Sequence, residues 1–431
     1  MKHPSAVPAL VFSDSEGNIR DFPELSMAGR SNNRYFQPRL EELIPLPEGS
    51  ELFTLPDRLP IGTDPHTGEP LLLESDPYDT DRPINAVAAF MSPAHTMIYN
   101  AAFERIDQAV TLPLFAYCAV GWHDGQFWVS GFRSDQDQRQ DASHFNQTNI
   151  TKKTRKKTLK YKNNRLIQHL GKCCLTYHCP AARNFFLGRW EAPLPTSPAC
   201  NARCVGCISL QPSGCCASTQ ERIKFVPSPQ EIAEVALLHL AQPEGTVVSF
   251  GQGCEGEPLL QTPVIEKAIS LIRKRTDRGT INMNTNSSLP ENISRLAHSG
   301  LDSIRVSLNS AQPDKYHHYY RPVDYDITDV FESITVMKSA GKFVSLNYFV
   351  QPGFTDSHEE TEALTELLEK TQPDFIQLRN LNMDPDWYLS SIEMQPDLAC
   401  YGILQWLDII KSRFSSLQFG YFNPALNENF I

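Results

Sequence analysis

The chain has 431 residues, which is enough for two or three domains with a sizeable hydrophobic core. Hydrophobic residues make up 41% and charged residues 21% of the sequence, as in an ordinary water-soluble protein, and no apolar run approaches the length needed to span a bilayer. The formal net charge of −11 gives no general case for nucleic-acid binding. The 11 cysteines are odd in number and many are clustered, which argues against a disulfide framework and favours metal ligation. With no apolar signal segment at the N-terminus, we expect a cytoplasmic protein that makes no contact with membranes.

The first 190 residues consist of short apolar pieces separated by turn residues. The apolar pieces 119–122 and 127–129 flank His-Asp-Gly-Gln and predict a β-hairpin. Proline is frequent between Pro45 and Pro83, which indicates loop-rich covering structure, and a helix is predicted at 95–108. We therefore expect an N-terminal α+β accessory domain, rich in strands and loops, over residues 1–190.

One segment of this region, 151–165, is strongly basic and contains no acidic residue. Such a run favours a polyanionic partner, and RNA is the candidate. The alternative is a solvated surface loop, because the run lacks regular aromatic interleaving. Its basic residues are Lys152, Lys153, Arg155, Lys156, Lys157, Lys160, Lys162 and Arg165.

From about residue 193 the pattern changes to strands that alternate with helices of 10–15 residues. This alternation predicts βαβ units and a parallel sheet, with six β/α units in all. Ser228-Pro229 provides a helix start and Gly300 a helix end. The predicted strands are 192–199, 246–250, 280–286, 303–309, 343–350 and 375–380, and the predicted helices are 231–240, 264–273, 290–298, 328–339 and 359–370.

These strands alternate polar with apolar residues, although buried parallel strands are usually apolar throughout. In the third strand Asn282, Asn284 and Asn286 alternate with apolar or β-branched neighbours. Asparagine is a poor strand former, so its repetition indicates a polar face that lines a ligand-holding lumen. We therefore predict a partial (β/α)6 TIM-like barrel over 191–385, with ligands at the C-terminal ends of its strands, followed by a C-terminal extension over 386–431.

The most informative motif is the C-x3-C-x2-C run formed by Cys200, Cys204 and Cys207. Three thiolates so close together can each ligate a different iron of one 4Fe–4S cluster, which leaves the fourth iron open for chemistry. A zinc knuckle is the alternative, but zinc requires a fourth ligand and usually two C-x2-C-like pairs. After the second strand comes Gly251-Gln-Gly-Cys-Glu-Gly-Glu-Pro258, a glycine-rich turn with a carboxylate that is suited to a cationic ligand.

The cysteine spacing resembles the signature of the radical S-adenosylmethionine (SAM) enzymes, and the resemblance covers about 193–384. It implies a 4Fe–4S cluster on the three cysteines whose free iron chelates SAM. One electron then cleaves SAM to a 5′-deoxyadenosyl radical, which abstracts hydrogen from a substrate that the resemblance does not identify. No catalytic residue is assigned beyond the cluster ligands.

The resemblance also assigns SAM-binding residues. Gly256, Glu257 and Pro258 match the family's GGE-type motif, which receives the SAM amino group. Ser307 and Asn309 resemble the polar pair that bonds the SAM ribose or carboxylate, and Asn284 and Asn286 are further candidates. The residue before the third cysteine is commonly aromatic in the family and covers the adenine, whereas here it is Gly206.

Further cysteines bracket the triad and allow an auxiliary iron–sulfur cluster or a zinc ion, with His178 as a candidate ligand. The alternative is that they are reduced cysteines of no special role. Cys254 is a candidate for facing the substrate, and residues 317–320 either line the substrate mouth or form a surface turn. The bracketing cysteines are Cys173, Cys174, Cys179, Cys215 and Cys216.

Together these features predict a cytoplasmic radical SAM enzyme that receives electrons from a low-potential donor, flavodoxin or ferredoxin. Two other classes stay open. A non-catalytic iron–sulfur electron carrier would need neither a SAM-binding Glu257 nor a polar lumen. A zinc-containing RNA-binding protein would use the basic segment 151–165.

Overall fold

The computed structural model describes residues 3–211, 214, 216–396 and 398–426, and they form two compact units. Of the described residues, unit 1 contains 3–137, 349–364 and 378–415. Unit 2 contains 138–348, 365–377 and 416–426. Unit 1 thus combines the N-terminal residues with two segments from the last third of the chain. The bounds of the three predicted domains stay a prediction.

Unit 1 is built mainly from antiparallel strands. The strands are β1 (Ala9–Ser13), β2 (Ile19–Met27), β3 (Gly29–Ser31), β4 (Arg34–Phe36), β5 (Leu43–Pro45), β6 (Glu51–Leu55), β7 (Arg58–Thr63), β8 (Pro70–Leu72), β9 (Asn85–Phe90), β10 (His95–Met97), β11 (Asn100–Ala101), β12 (Phe103–Arg105), β13 (Val120–His123) and β14 (Gln126–Arg133). The largest sheet has the path β10-β14-β13-β1-β2-β7-β12, and β3, β4 and β11 form a smaller sheet.

The core of this sheet confirms one sequence prediction and corrects another. Strands β13 and β14 form the predicted hairpin, with Val120 opposite Val129. The helix predicted at 95–108 is wrong, because this segment forms β10, β11 and β12. Met97 in β10 is 1% exposed and lies opposite Gly131 of β14, so pairing and burial override the local helix pattern.

Unit 2 begins with three helices, α1 (Gln147–Lys160), α2 (Arg165–Thr176) and α3 (Pro180–Leu187). The loop alternative for the basic segment is therefore wrong over most of its length. Lys157 turns inward, where its ammonium donates to the carbonyl of Phe185 at 2.7 Å, and burial lowers its pKa to about 8. Arg165 pairs with Glu231 at 2.7 Å. The other six basic residues of the segment are exposed.

A parallel sheet of seven described strands follows, and its strands lie in the order of the sequence. They are β15 (Arg189–Pro193), β16 (Glu244–Phe250), β17 (Thr280–Thr285), β18 (Ser303–Leu308), β19 (Phe343–Val350), β20 (Phe375–Asn380) and β21 (Gln418–Gly420). Strands β16 to β20 correspond to predicted strands and β21 is additional. The first predicted strand, 192–199, is wrong over most of its length, because β15 ends at Pro193 and the chain from 194 on forms the cysteine loop. The helices after α3 are α4 (Pro229–Leu240), α5 (Thr262–Arg273), α6 (Pro290–Ser299), α7 (Pro313–Tyr320), α8 (Ile327–Ser339), α9 (His358–Thr371), α10 (Pro385–Ser391) and α11 (Ile403–Arg413).

Local sequence explains the ends of these helices. The Ser228 hydroxyl accepts from the N–H of Glu231 at 3.2 Å, and the Glu231 carboxylate accepts from the N–H of Ser228 at 2.8 Å, which is a capping box at the start of α4. Gly300 ends α6 with a φ of 109°. The curled parallel sheet and its helices confirm the partial TIM-like barrel, and the strand-rich first unit confirms the accessory α+β structure.

Candidate functional site

The three cysteines of the C-x3-C-x2-C run lie in one loop that follows β15, the first strand of the parallel sheet. Burial raises the pKa of the Cys200 thiol to about 11 and that of the Cys204 thiol well above its usual value. Neighbouring thiols raise the pKa of Cys200 and of Cys204 further, so these two thiols need a positively charged partner to be thiolates. This donor set fits an iron–sulfur cluster bound to Cys200, Cys204 and Cys207.

The cysteine loop is held from one side by the last two residues of α7. The N–H groups of Arg203 and Val205 donate to the carbonyls of Tyr320 and Tyr319, each at 2.9 Å. Tyr319 and Tyr320 are each only 4% exposed. Residues 319–320 therefore form a buried support for the cysteine loop, and both earlier interpretations of 317–320 miss this. The sequence did not predict α7, since its eight residues are too few for a clear helical period.

The Gly256-Glu257-Pro258 motif lies directly against the same loop. The N–H of Gly256 donates to the carbonyl of Ser197 at 2.7 Å, and that of Glu257 donates to the carbonyl of Ala199 at 2.8 Å. A Cβ atom at position 256 would lie 1.9 Å from the Ala199 carbonyl oxygen. Only glycine permits this approach, so the motif fixes the backbone immediately before Cys200.

The Glu257 carboxylate is 4% exposed and accepts three hydrogen bonds from the protein. Its donors are the N–H of Leu259 at 3.0 Å, the hydroxyl of Thr285 at 2.6 Å and the N–H of Asn286 at 2.8 Å. Burial raises its pKa to about 7. A carboxylate has about four acceptor positions, so one is left for a ligand such as the SAM ammonium. Binding of the SAM amino group by Glu257 stays a prediction. In addition, Glu257 caps the start of the turn Pro258–Gln261, because its side chain accepts from the N–H of Leu259.

Sequence reasoning missed a second carboxylate in the same turn, Glu255. It accepts from the N–H groups of Thr196 and Ser197 at 2.7 and 2.9 Å, and from those of Gly251 and Gln252 at 2.6 and 3.0 Å. Burial raises its pKa to about 7, whereas the four N–H groups act in the opposite direction. Glu255 therefore joins the start of the cysteine loop to the turn after β16. The sequence feature that could have indicated this role is the position of Glu255 in a glycine-rich turn.

The polar strand residues lie buried on the parallel sheet, as predicted. Asn284 is 4% exposed, and its Oδ1 accepts from the side-chain amides of Asn282 at 2.9 Å and Asn423 at 3.2 Å. Within the described part of the chain, its Nδ2 has no hydrogen-bond partner, nor has Oδ1 of Asn347. Buried polar groups are nearly always paired, so these two atoms fit a polar ligand in the lumen.

The other predicted strand residues differ in their surroundings. Asn309 is fully buried and its Nδ2 donates to the carbonyl of Lys315 at 3.3 Å. Ser307 is half-buried. Asn286 holds the cysteine loop, because its Nδ2 donates to Oδ1 of Asn201 at 2.9 Å. The structure thus separates Asn286, which supports the loop, from Asn284, which keeps an unpaired donor.

Arg222 is a cation beside the triad that no sequence motif indicated. Its Nη2 lies 3.5 Å from the sulfur of Cys207, and its Nε donates to the hydroxyl of Ser209 at 3.1 Å. A guanidinium at this distance stabilises negative charge on the sulfur. Arg222 therefore tunes any cluster that the triad holds.

The remaining cysteines are grouped differently from the prediction. Cys173 and Cys174 are buried in α2, and Cys179 precedes α3, where its N–H donates to the carbonyl of Cys173 at 3.2 Å. Cys216 is half-buried, and Cys215 lies outside the described residues. Of the predicted five, only Cys173 belongs to a group of metal-ligand atoms in the described chain, and its partners are His169 and Cys254. Cys254, a candidate for facing the substrate, is 3% exposed.

The parallel α/β sheet and the cysteine loop after its first strand together form the candidate site. The family model described as the radical SAM superfamily matches residues 194–365. This segment is therefore similar to the radical SAM superfamily, whose members carry a 4Fe–4S cluster and SAM as cofactors. No curated protein matches the sequence. None of the described helices is long and apolar enough to cross a membrane.

Solved structures similar to the chain include three radical SAM enzymes of low identity. SuiB of Streptococcus suis bound to precursor peptide SuiA is 12% identical over 60% of this chain and 54% of that chain, with a TM-score of 0.39. HydG, the FeFe-hydrogenase maturase of Carboxydothermus hydrogenoformans, is 15% identical over 64% of this chain and 71% of that one, with a TM-score of 0.37. A radical SAM methyltransferase of Sphaerobacter thermophilus is 16% identical over 54% and 67%, with a TM-score of 0.38. The chain thus spans about half the length of SuiB.

Proposed function

We propose that the chain binds a 4Fe–4S cluster through Cys200, Cys204 and Cys207 and cleaves SAM reductively to start hydrogen abstraction from a substrate in the barrel lumen. The observation that carries this proposal is the docking of the Gly256–Pro258 motif onto the cysteine loop, so close that a Cβ at position 256 would lie 1.9 Å from the Ala199 carbonyl oxygen. When bound, the cluster supplies the electron that breaks a carbon–sulfur bond of SAM and yields a 5′-deoxyadenosyl radical.

The residues of the chain bind and orient these cofactors. The cysteine thiols lose their protons on binding iron, and the Arg222 guanidinium, 3.5 Å from the Cys207 sulfur, stabilises the resulting negative charge. The remaining acceptor position of Glu257 receives the SAM ammonium. Asn284 offers its unpaired Nδ2 to the SAM carboxylate or ribose, and Ser307 and Asn309 are assigned to the same ligand by their match to the family's polar pair.

The test measures 5′-deoxyadenosine from SAM after anaerobic reconstitution with iron and sulfide and reduction with dithionite. We expect turnover in the wild-type protein and none in Cys204→Ala. Cys118→Ala is the matched control, because Cys118 is a buried cysteine of unit 1. An intact cluster that produces no deoxyadenosine would support the electron-carrier alternative and refute the proposed function.

We further propose that the electron donor is a flavodoxin or ferredoxin and that the exposed basic face of α1 receives a polyanion such as RNA. Five exposed basic residues of α1, and Lys162 just beyond its end, support the second part. The inward-turned Lys157 and the paired Arg165 contribute nothing to it. The test replaces Lys152, Lys153, Arg155 and Lys156 by glutamine. The slope of the logarithm of the RNA-binding constant against the logarithm of salt concentration should become shallower by roughly 0.7 per lost phosphate contact. If the slope equals that of the wild type, the basic residues of α1 do not contact RNA and α1 is an ordinary solvated helix.

A further inference from the structure

A second group of metal-ligand side chains lies in unit 2, apart from the triad's own loop. His169 and Cys173 are four residues apart on α2, so they project from the same face of that helix. Cys254 comes from the turn after β16. The ligand atoms of His169, Cys173 and Cys254 all lie within 4.8 Å of one another.

The spacing of these atoms matches a single ion. A tetrahedral zinc with Zn–S near 2.3 Å and Zn–N near 2.0–2.1 Å holds its ligand atoms roughly 3.5–3.8 Å apart. In the structure Nε2 of His169 lies 3.5 Å from the sulfur of Cys173. The side chains are therefore already near the positions that a zinc ion would require of them.

The chemistry of the group also favours zinc. Two thiols and one imidazole are donors that Zn²⁺ accepts readily, whereas Mg²⁺ and Ca²⁺ require oxygen. Cys173 is 1% and Cys254 3% exposed, so a bound ion would be largely shielded from water. His169 is half-buried and packs edge-on against Phe225, with ring centroids 6.3 Å apart, which restricts the orientation of its imidazole.

We propose that His169, Cys173 and Cys254 bind one Zn²⁺ ion at a site distinct from Cys200, Cys204 and Cys207. Zinc binding converts the two thiols to thiolates, and their protons pass to solvent while no electron moves. The fourth position of the tetrahedron is taken by a donor from outside this group of three side chains.

The site has a structural consequence for the cysteine loop. Cys254 directly precedes Glu255 and Gly256, which hold residues 196–199. A zinc ion would tie this turn to α2, and so would restrain the loop from which the triad projects. The inference concerns the support of the catalytic loop and does not depend on SAM cleavage.

The test uses the full chain with Cys200, Cys204 and Cys207 all changed to alanine, which removes the proposed iron site. Elemental analysis of this variant should give about one zinc per chain and no iron, as expected for one structural zinc. Adding Cys173→Ala or Cys254→Ala should remove the zinc. Adding Cys174→Ala should not, because Cys174 is equally buried in α2 but lies 3.3 Å from the Thr154 hydroxyl and outside the group.

A second measurement distinguishes loss of the zinc site from failure of a variant to fold. Replacing zinc by Co²⁺ in the triad variant should give the thiolate-to-cobalt absorption and the intense visible bands of a tetrahedral site. Iron and sulfide in the triad variant would overturn the proposal in favour of an auxiliary cluster. A disulfide between Cys173 and Cys254, or the absence of zinc under reducing purification, would overturn it as well. Deoxyadenosine formation is not a readout here, so failure of the zinc site and failure of the proposed function are distinguishable.

Discussion

Replacing Gly256 by alanine tests the contact between the SAM motif and the cysteine loop. The added Cβ would lie 1.9 Å from the Ala199 carbonyl oxygen, and real contacts of this kind are not shorter than 3.0 Å. The backbone at position 256 or at Ala199 must therefore move by about 1.1 Å, and both segments belong to the candidate site. Since a displacement of about 1 Å can reduce a rate by ~100-fold, we expect at least that loss in 5′-deoxyadenosine formation.

The assay compares Gly256→Ala with Gly253→Ala under identical reconstitution. A Cβ at Gly253 would meet Nε2 of Gln220 at 2.2 Å and Cδ1 of Ile208 at 2.6 Å, which are the ends of flexible side chains. The control should therefore lose little activity. If Gly256→Ala retained the wild-type rate and iron content, the close approach would not be needed for function and the reasoning would be refuted.

Three further predictions concern stability and the cluster. Asp384→Ala should lower the free energy of unfolding by ~3–5 kcal/mol in denaturant titrations. The reason is that the fully buried Arg58 guanidinium, 2.8 Å from the Asp384 carboxylate, loses its counter-charge. A loss below 1 kcal/mol would contradict this. Burial lowers the pKa of His239 to about 4, so the folded state binds its proton more weakly than the unfolded state does. Stability should then fall between pH 6.5 and pH 4, by roughly 2–3 kcal/mol more in the wild type than in His239→Gln, and equal pH profiles would refute the assignment. Arg222→Gln should lower the reduction potential of the reconstituted cluster by roughly 40 mV, equivalent to about 1 kcal/mol for one electron. The measurement is a potentiometric titration followed by electron paramagnetic resonance. An unchanged or higher potential would show that the guanidinium does not act on the cluster.

The sequence allowed the parallel sheet to be predicted because its signals are local and repeated. Helices with their own start or stop residues, such as Ser228 for α4 or Gly300 for α6, alternate with strands β16 to β20. The asparagines of β17 also indicated a polar face. The cysteine spacing and the Gly256-Glu257-Pro258 motif are contiguous runs, so their placement did not require knowledge of distant contacts.

What the sequence did not reveal depends on contacts between distant segments. The segment 95–108 pairs with β14 and with other strands of unit 1, and this pairing cannot be read from its own residues. The support of the cysteine loop by Tyr319 and Tyr320 likewise joins segments more than 100 residues apart. His169, Cys173 and Cys254 come together only through the fold, and the clustering of cysteines in the sequence does not indicate that His169 and Cys254 lie beside Cys173.

The buried pair of Arg58 and Asp384 has a consequence for the order in which the chain can fold. The two residues are separated by 326 positions, and the Asp384 carboxylate also accepts from the N–H of Leu112 at 2.9 Å. During synthesis the first 137 residues therefore emerge with Arg58 still lacking its counter-charge, long before Asp384 leaves the ribosome. Domains usually complete their folding from the N-terminus as they emerge. Here unit 1 would reach its final form only after the barrel strands have been made, so a fragment ending near residue 190 should be less stable than the same residues in the whole chain.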